Sequence, residues 1–101
     1  MSMNESDTIL KLLLEGAQEQ TLAQAVITIQ RMSAGSLEYV LRRLSSVWGP
    51  LECTLDSGNW TYNWPGCPYP NAKQGKNDSI PNLMRTLLTM AAMDAATGGE
   101  R

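Results

Sequence analysis

Residues 21–64 read TLAQAVITIQRMSAGSLEYVLRRLSSVWGPLECTLDSGNWTYNW, and within them the apolar period changes from helical spacing to strict alternation after Gly49-Pro50. Upstream of that point Leu22, Val26 and Ile29 share one helical face, with the small Ala23 and Ala25 beside them. Met32-Ser33-Ala34-Gly35 reads as a turn, and Ser36 as the cap of a further helix. Leu37, Val40, Leu41, Leu44 and Trp48 then recur at i, i+3, i+4, i+7 and i+11, the strongest periodic signal in the chain. Stepping about 100° per residue, the opposite face holds Gly35, Tyr39, Arg42 and Ser46, flanked by Ser36 and Arg43. Downstream, Leu51, Cys53 and Leu55 alternate with Glu52 and Thr54, while Trp60, Tyr62 and Trp64 alternate with Thr61 and Asn63. Two alternating arms around Asp56-Ser57-Gly58-Asn59 predict a hairpin that sets Leu55 beside Trp60 and Cys53 beside Tyr62. Its apolar face is expected to lie over the helices.

Outward from this unit, residues 1–6 are polar and read as a frayed end. Ser6 or Asp7 can cap a first helix whose Ile9, Leu12 and Leu13 fall on one face, widened by Leu10 and Leu14. Gly16 lies near its end, and Gln18-Glu19-Gln20 makes a polar break. Residues 65–78 hold three prolines and no periodicity, and read as an exposed loop. A last helix is expected over residues 79–97, with Pro81 in its first turn and Gly98-Gly99 as its stop. Its apolar stripe, Leu83, Met84, Leu87, Leu88, Met90 and Ala91, is wider than one small core needs and predicts self-association. The fold class expected is α+β, mostly helical, with residues 7–64 as one unit and the terminal helix as a dimerisation element.

Bulk properties narrow the function classes. At 101 residues the chain forms one small domain. An apolar fraction of 43% and a charged fraction of 18% are those of a folding chain. No apolar run reaches the roughly 20 residues of a membrane span, and the N-terminus lacks a secretory signal pattern, so no membrane partner and a cytoplasmic location are expected. Cys53 and Cys67 are too few for a disulfide framework; in a reducing cytosol both are thiols, the alternative being a bridge that closes the hairpin. With no His in the chain, a zinc site, the usual general base and the Ser-His or Cys-His pairs are missing. No catalytic residue, metal or cofactor is therefore expected.

Net charge is −2, with a pI near 4.9. Acid gathers in residues 1–20 as Glu5, Asp7, Glu15 and Glu19 against Lys11. Base gathers on Arg42 and Arg43 and, after the hairpin, on Lys73 and Lys76, where no acid intervenes from Ser57 to Asn77. Trp48, Trp60 and Trp64 are expected in core and hairpin packing.

The order of elements resembles the winged helix-turn-helix domain of bacterial transcription regulators. The matching stretches are ILKLLLEG, TLAQAV, SAGSLEYVLRRL and LECTLDSGNWTYNW, from Ile9 to Trp64. Thr21-Leu22-Ala23 matches the opening of the second helix, Ser33 to Ser36 the turn, and Leu41-x-x-Leu44 the close of the recognition helix. The resemblance implies a wing at the hairpin and a recognition helix that presents side chains to base edges. On that reading Arg42 and Arg43 contact guanine or phosphate, while Ser33, Ser36 and Tyr39 donate to phosphates near the helix N-terminus. Lys73 and Lys76 track the backbone beyond the wing. A dimer through the terminal helix would set two recognition helices on a two-fold site. The function expected is a small dimeric DNA-binding regulator. The alternative is an antiactivator or inhibitor that docks on another regulatory protein without binding DNA, favoured by the acidic pI and the apolar excess of the last helix.

Overall fold

The computed structural model describes residues 4–16 and 21–97. The polar break at residues 18–20, the glycine stop at 98–99 and the first three residues of the expected frayed end lie outside them. Among the described residues the chain is α+β and mostly helical: four α-helices and one three-stranded antiparallel sheet. Helices α1 (Glu5–Glu15), α2 (Leu22–Arg31) and α3 (Ala34–Trp48) come first. Strands β1 (Glu52–Asp56) and β2 (Asn59–Asn63) follow, then a 3-10 turn at Pro70–Ala72, strand β3 (Gln74–Asn77) and helix α4 (Ile80–Ala96). This order is compatible with a winged-helix-like arrangement.

Each helix begins on a side chain that accepts a backbone N–H left over by the first turn. Asn4 rather than Ser6 or Asp7 caps α1, accepting from the Asp7 N–H at 2.8 Å. Thr21 and Gln24 form a reciprocal capping box on α2. Ser33, not Ser36, caps α3, accepting from the Ser36 N–H at 3.2 Å. The connection between α2 and α3 is thus only Met32 and Ser33, because Ala34 and Gly35 already belong to the helix. Ser79 caps α4 with Pro81 in the first turn, as expected.

The hairpin has the expected register, Leu55 opposite Trp60 and Cys53 opposite Tyr62. Its turn residues Ser57 and Gly58 have φ of +53° and +83°, the pair of positive values that a two-residue type I′ turn requires. Residues 65–78 are not a plain loop. Gln74–Asn77 pairs antiparallel with β2, giving the sheet order β1-β2-β3. The strand carries no apolar alternation because its central Gly75 lies under the Tyr62 ring, 3.0 Å from a carbon of it where a Cβ would stand. The ring supplies the packing that a β3 side chain otherwise would.

The core joins α1, α2, α3 and α4 to the inner face of β2. Ile9, Ile29, Leu37, Val40, Leu44, Leu87 and Leu88 are fully enclosed, and so is Trp64. Helix α4 touches α1, α2, α3, β3 and the 3-10 turn. That position explains its broad stripe: Leu83, Met84, Leu87, Leu88 and Ala91 are buried within this one chain, and Met90 is half-buried against the same cluster. Most of the stripe expected to join two copies is used to close the core of this one chain. Polar ties lock the periphery. Asp94 accepts from the Asn71 N–H (2.9 Å) and Nδ2 (2.7 Å), pinning the 3-10 turn to α4. Arg85 donates to the Met32 carbonyl at 3.1 Å, at the end of α2.

Candidate functional site

The sheet has one covered edge and one open edge. Strand β3 lies against α4, whereas β1 has β2 on one side and, among the described residues, no strand on the other. Every residue of β1 is exposed, including Leu55 at 57%. The hairpin therefore lays Tyr62 and Trp64 into the core and leaves Trp60 half-buried, while the apolar side chains of β1 stay uncovered. This corrects the expectation of a fully covered face. Strand β2 is central in the sheet, and β1 lies outside it at the edge.

Beside β1 runs an open groove of about 350 Å³ between α3, β1 and the start of α4. Its apolar lining is Leu41, Leu51, Cys53, Ile80, Leu83 and Met84. Glu38, Arg42 and Ser45 of α3 form the polar rim. Across that rim Arg42 donates to Glu38 at 2.9 Å, an i,i+4 pair on the exposed helix surface.

Backbone hydrogen bonding adds direction to this site. The residues flanking a two-residue turn, Asp56 and Asn59, form a bonded pair, and bonded and unbonded pairs alternate from there. Thr54 and Thr61 are then bonded to each other, whereas Cys53 and Leu55 are not bonded to β2. The far side agrees, since the Trp64 N–H donates to the Lys73 carbonyl at 2.7 Å, so the even-numbered residues of β2 bond towards β3. The N–H and C=O groups of Cys53 and Leu55 consequently point out of the sheet, and their side chains face the groove side.

Cys53 and Cys67 are both free thiols, Cys53 exposed and Cys67 buried. Burial raises the Cys53 thiol above its ordinary value. Beneath it the Tyr62 hydroxyl is pushed up to about 12, first by burial and then by its nearness to Cys67 and Cys53. A phenol whose folded value lies above its unfolded value near 10 contributes stability that is complete below pH 10 and is lost as pH rises towards 12. Tyr62 should thus ionise late when the tyrosinate absorbance lost on Tyr62→Phe substitution is followed through that window. A Tyr62 contribution complete near pH 10, with a flat denaturant midpoint above it, would contradict this environment.

Of the residues expected to touch DNA, Ser33 caps α3, and Ser36, Tyr39, Arg42 and Arg43 lie along it, with Tyr39 44% exposed. Ser33 and Ser36 are engaged with each other at the cap. Arg42 is paired with Glu38, and Arg43 borders a second hollow together with Asp7, Lys11 and Glu15. Lys73 donates to the Pro65 carbonyl at 2.8 Å. Lys76 is opposite Thr61 and so belongs to the outer face of the sheet, away from Tyr62 and the core. Arg42 and Arg43 thus belong to α3, whereas Lys73 precedes β3 and Lys76 lies in it. Leu51 and Cys53, which line the groove, belong to the alternating arm whose apolar face is expected over the helices. Periodicity alone gives no sign that they border an open edge.

No family model, curated protein or solved structure matches this chain. Among the described residues no helix is long and apolar enough to cross a membrane, and no cluster of three or more His, Cys, Asp or Glu is placed to hold a metal ion.

Proposed function

We propose that this chain is a non-enzymatic regulator that acts by docking on another protein, through the groove between α3, β1 and α4. The observation that carries this reading is the coincidence of an apolar groove with an uncovered strand whose backbone groups point outwards. An open edge on a small acidic domain is a place where another chain can pair. The net charge of −2 and the engagement of Arg42 and Lys73 within the molecule favour a protein over a polyanion as partner. On this reading the three helices and the hairpin form a winged-helix-like unit whose helix-and-wing side serves protein recognition.

A second reading, duplex DNA bound by α3, is favoured by the shared exposed face of Tyr39, Arg42 and Arg43. One paired experiment separates them. A random peptide library is displayed against the chain and counter-selected against the Cys53→Lys variant, which places a charge in the groove at an exposed position. A random duplex is titrated in parallel. Groove-dependent peptides and no duplex binding at about 50 mM salt are expected. Duplex binding that weakens steeply with salt and on joint Arg42→Ala and Arg43→Ala substitution, without groove-dependent peptides, would overturn the protein-docking reading.

A further inference from the structure

We infer that the occupant of the groove is an extended segment that adds to β1 as a fourth strand, with apolar side chains alternating with basic ones. The inference rests on the protein-docking reading above and specifies its ligand.

The edge fixes the geometry of the occupant. Only Cys53 and Leu55 offer outward N–H and C=O groups within β1, so the added strand bonds to those two residues and runs alongside Glu52–Asp56. Because side chains alternate across a strand, one set of the added segment falls on the groove side with Cys53 and Leu55. That set meets the apolar lining of Leu41, Ile80 and Met84 and is therefore apolar. The other set falls on the outer face, beside Glu52, Thr54 and Asp56.

Charge decides the identity of this outer set. Glu52 and Asp56 are both exposed, and among the described residues neither is in an ion pair. They stand two positions either side of Thr54, so a strand laid along β1 has its outer side chains next to two unneutralised carboxylates. Lysine or arginine there is attracted, and glutamate or aspartate is repelled, as for directly opposed cross-strand pairs. The same acids disfavour a second copy of this chain as occupant: antiparallel pairing centred on Thr54 would set Glu52 against Asp56 of the other copy, and Asp56 against its Glu52.

Three capped eight-residue peptides test the inference: valine alternating with lysine, with serine, and with glutamate. Binding is read by the rate at which Cys53 reacts with a maleimide. It is the exposed thiol of the two, and the buried Cys67 (1% exposed) is an internal reference for unfolding. The valine–lysine peptide should slow Cys53 labelling and bind at least about tenfold more tightly than the valine–glutamate peptide, with valine–serine between them. Joint Glu52→Lys and Asp56→Lys substitution should reverse that order. Methylating the backbone nitrogens of one alternate set of peptide residues should weaken binding at least about tenfold, and methylating the other set far less, because only one set donates to the edge. Peptides that protect Cys53 regardless of outer charge would overturn the basic specificity, and insensitivity to which set is methylated would overturn strand addition. If the valine–lysine peptide fails while display selection yields groove-dependent ligands of another kind, this inference falls and the docking reading stands. If neither protects Cys53, both fall.

Discussion

Trp64→Ala should cost about 3–5 kcal/mol of stability, the upper range for emptying a buried aromatic site. The side chain is fully enclosed and is the largest such residue in the chain. Its ring centroid lies 5.1 Å from that of Trp48, tilted by 56°, a geometry that adds to simple burial. Its indole Nε1 donates to the Gly49 carbonyl at 2.8 Å, tying the end of β2 to the end of α3. A domain of this length has a total stability of about 5–15 kcal/mol, so the loss is a large share of the whole. Thermal unfolding followed by circular dichroism should show a midpoint lowered by about 15 °C or more. A fall of less than about 5 °C would mean that Trp64 does not join the sheet to the helices in the way described. Trp60→Ala, at a half-buried position on the same strand, should cost markedly less.

Gly66→Ala should be the most damaging glycine substitution, although a methyl group is all that is added. A Cβ built on Gly66 would fall within the carbonyl group of Trp48, a backbone atom that has no rotamer to move into. Overpacking a core commonly costs about 1–3 kcal/mol, and contact with backbone places this site at or above the top of that range. The glycine is required by close approach rather than by its dihedral angles. Gly35→Ala is the matched control. That glycine lies in the first turn of α3 with its nearest neighbour, the Ser33 Oγ, 4.0 Å from the added carbon. Replacing it should leave stability unchanged or raise it by up to about 1 kcal/mol, since alanine is the better helix former. Denaturant midpoints of the two variants should move in opposite senses, or one only. A Gly66→Ala protein as stable as the parent would show that α3 and the 65–67 turn are not in contact.

Much of this architecture was legible in the residues. The 3.6-residue period of Leu37, Val40, Leu41 and Leu44 located α3, and alternation on both arms gave the hairpin register to the residue. Strand β3 was not legible, because Gln74-Gly75-Lys76-Asn77 has neither apolar alternation nor high strand propensity. Its place is set by the second edge of β2. The aromatic alternation of Trp60, Tyr62 and Trp64 was the available clue, since so apolar a strand is usually central and needs a neighbour on each side. The α4 stripe illustrates a different limit. Its width was visible, but periodicity measures how much surface must be covered and not what covers it; here α1, α2, α3 and the 3-10 turn do so. The groove was invisible for the same reason. Leu51 and Cys53 carry the pattern of core residues, and only the three-dimensional arrangement leaves them at an opening.

The two carboxylates on β1 have a consequence for the behaviour of the chain in concentrated solution. A strand that turns donors and acceptors outward is a template on which copies can stack without limit, the route by which sheets grow into fibrils. Glu52 and Asp56 contribute little to the fold itself, being exposed and outside any ion pair among the described residues. On the docking reading they would also make each copy a poor neighbour for the next. The charge that would choose a basic segment as a partner would then disfavour a second copy at the same edge, and neutralising these acids would erode both effects while leaving the core intact.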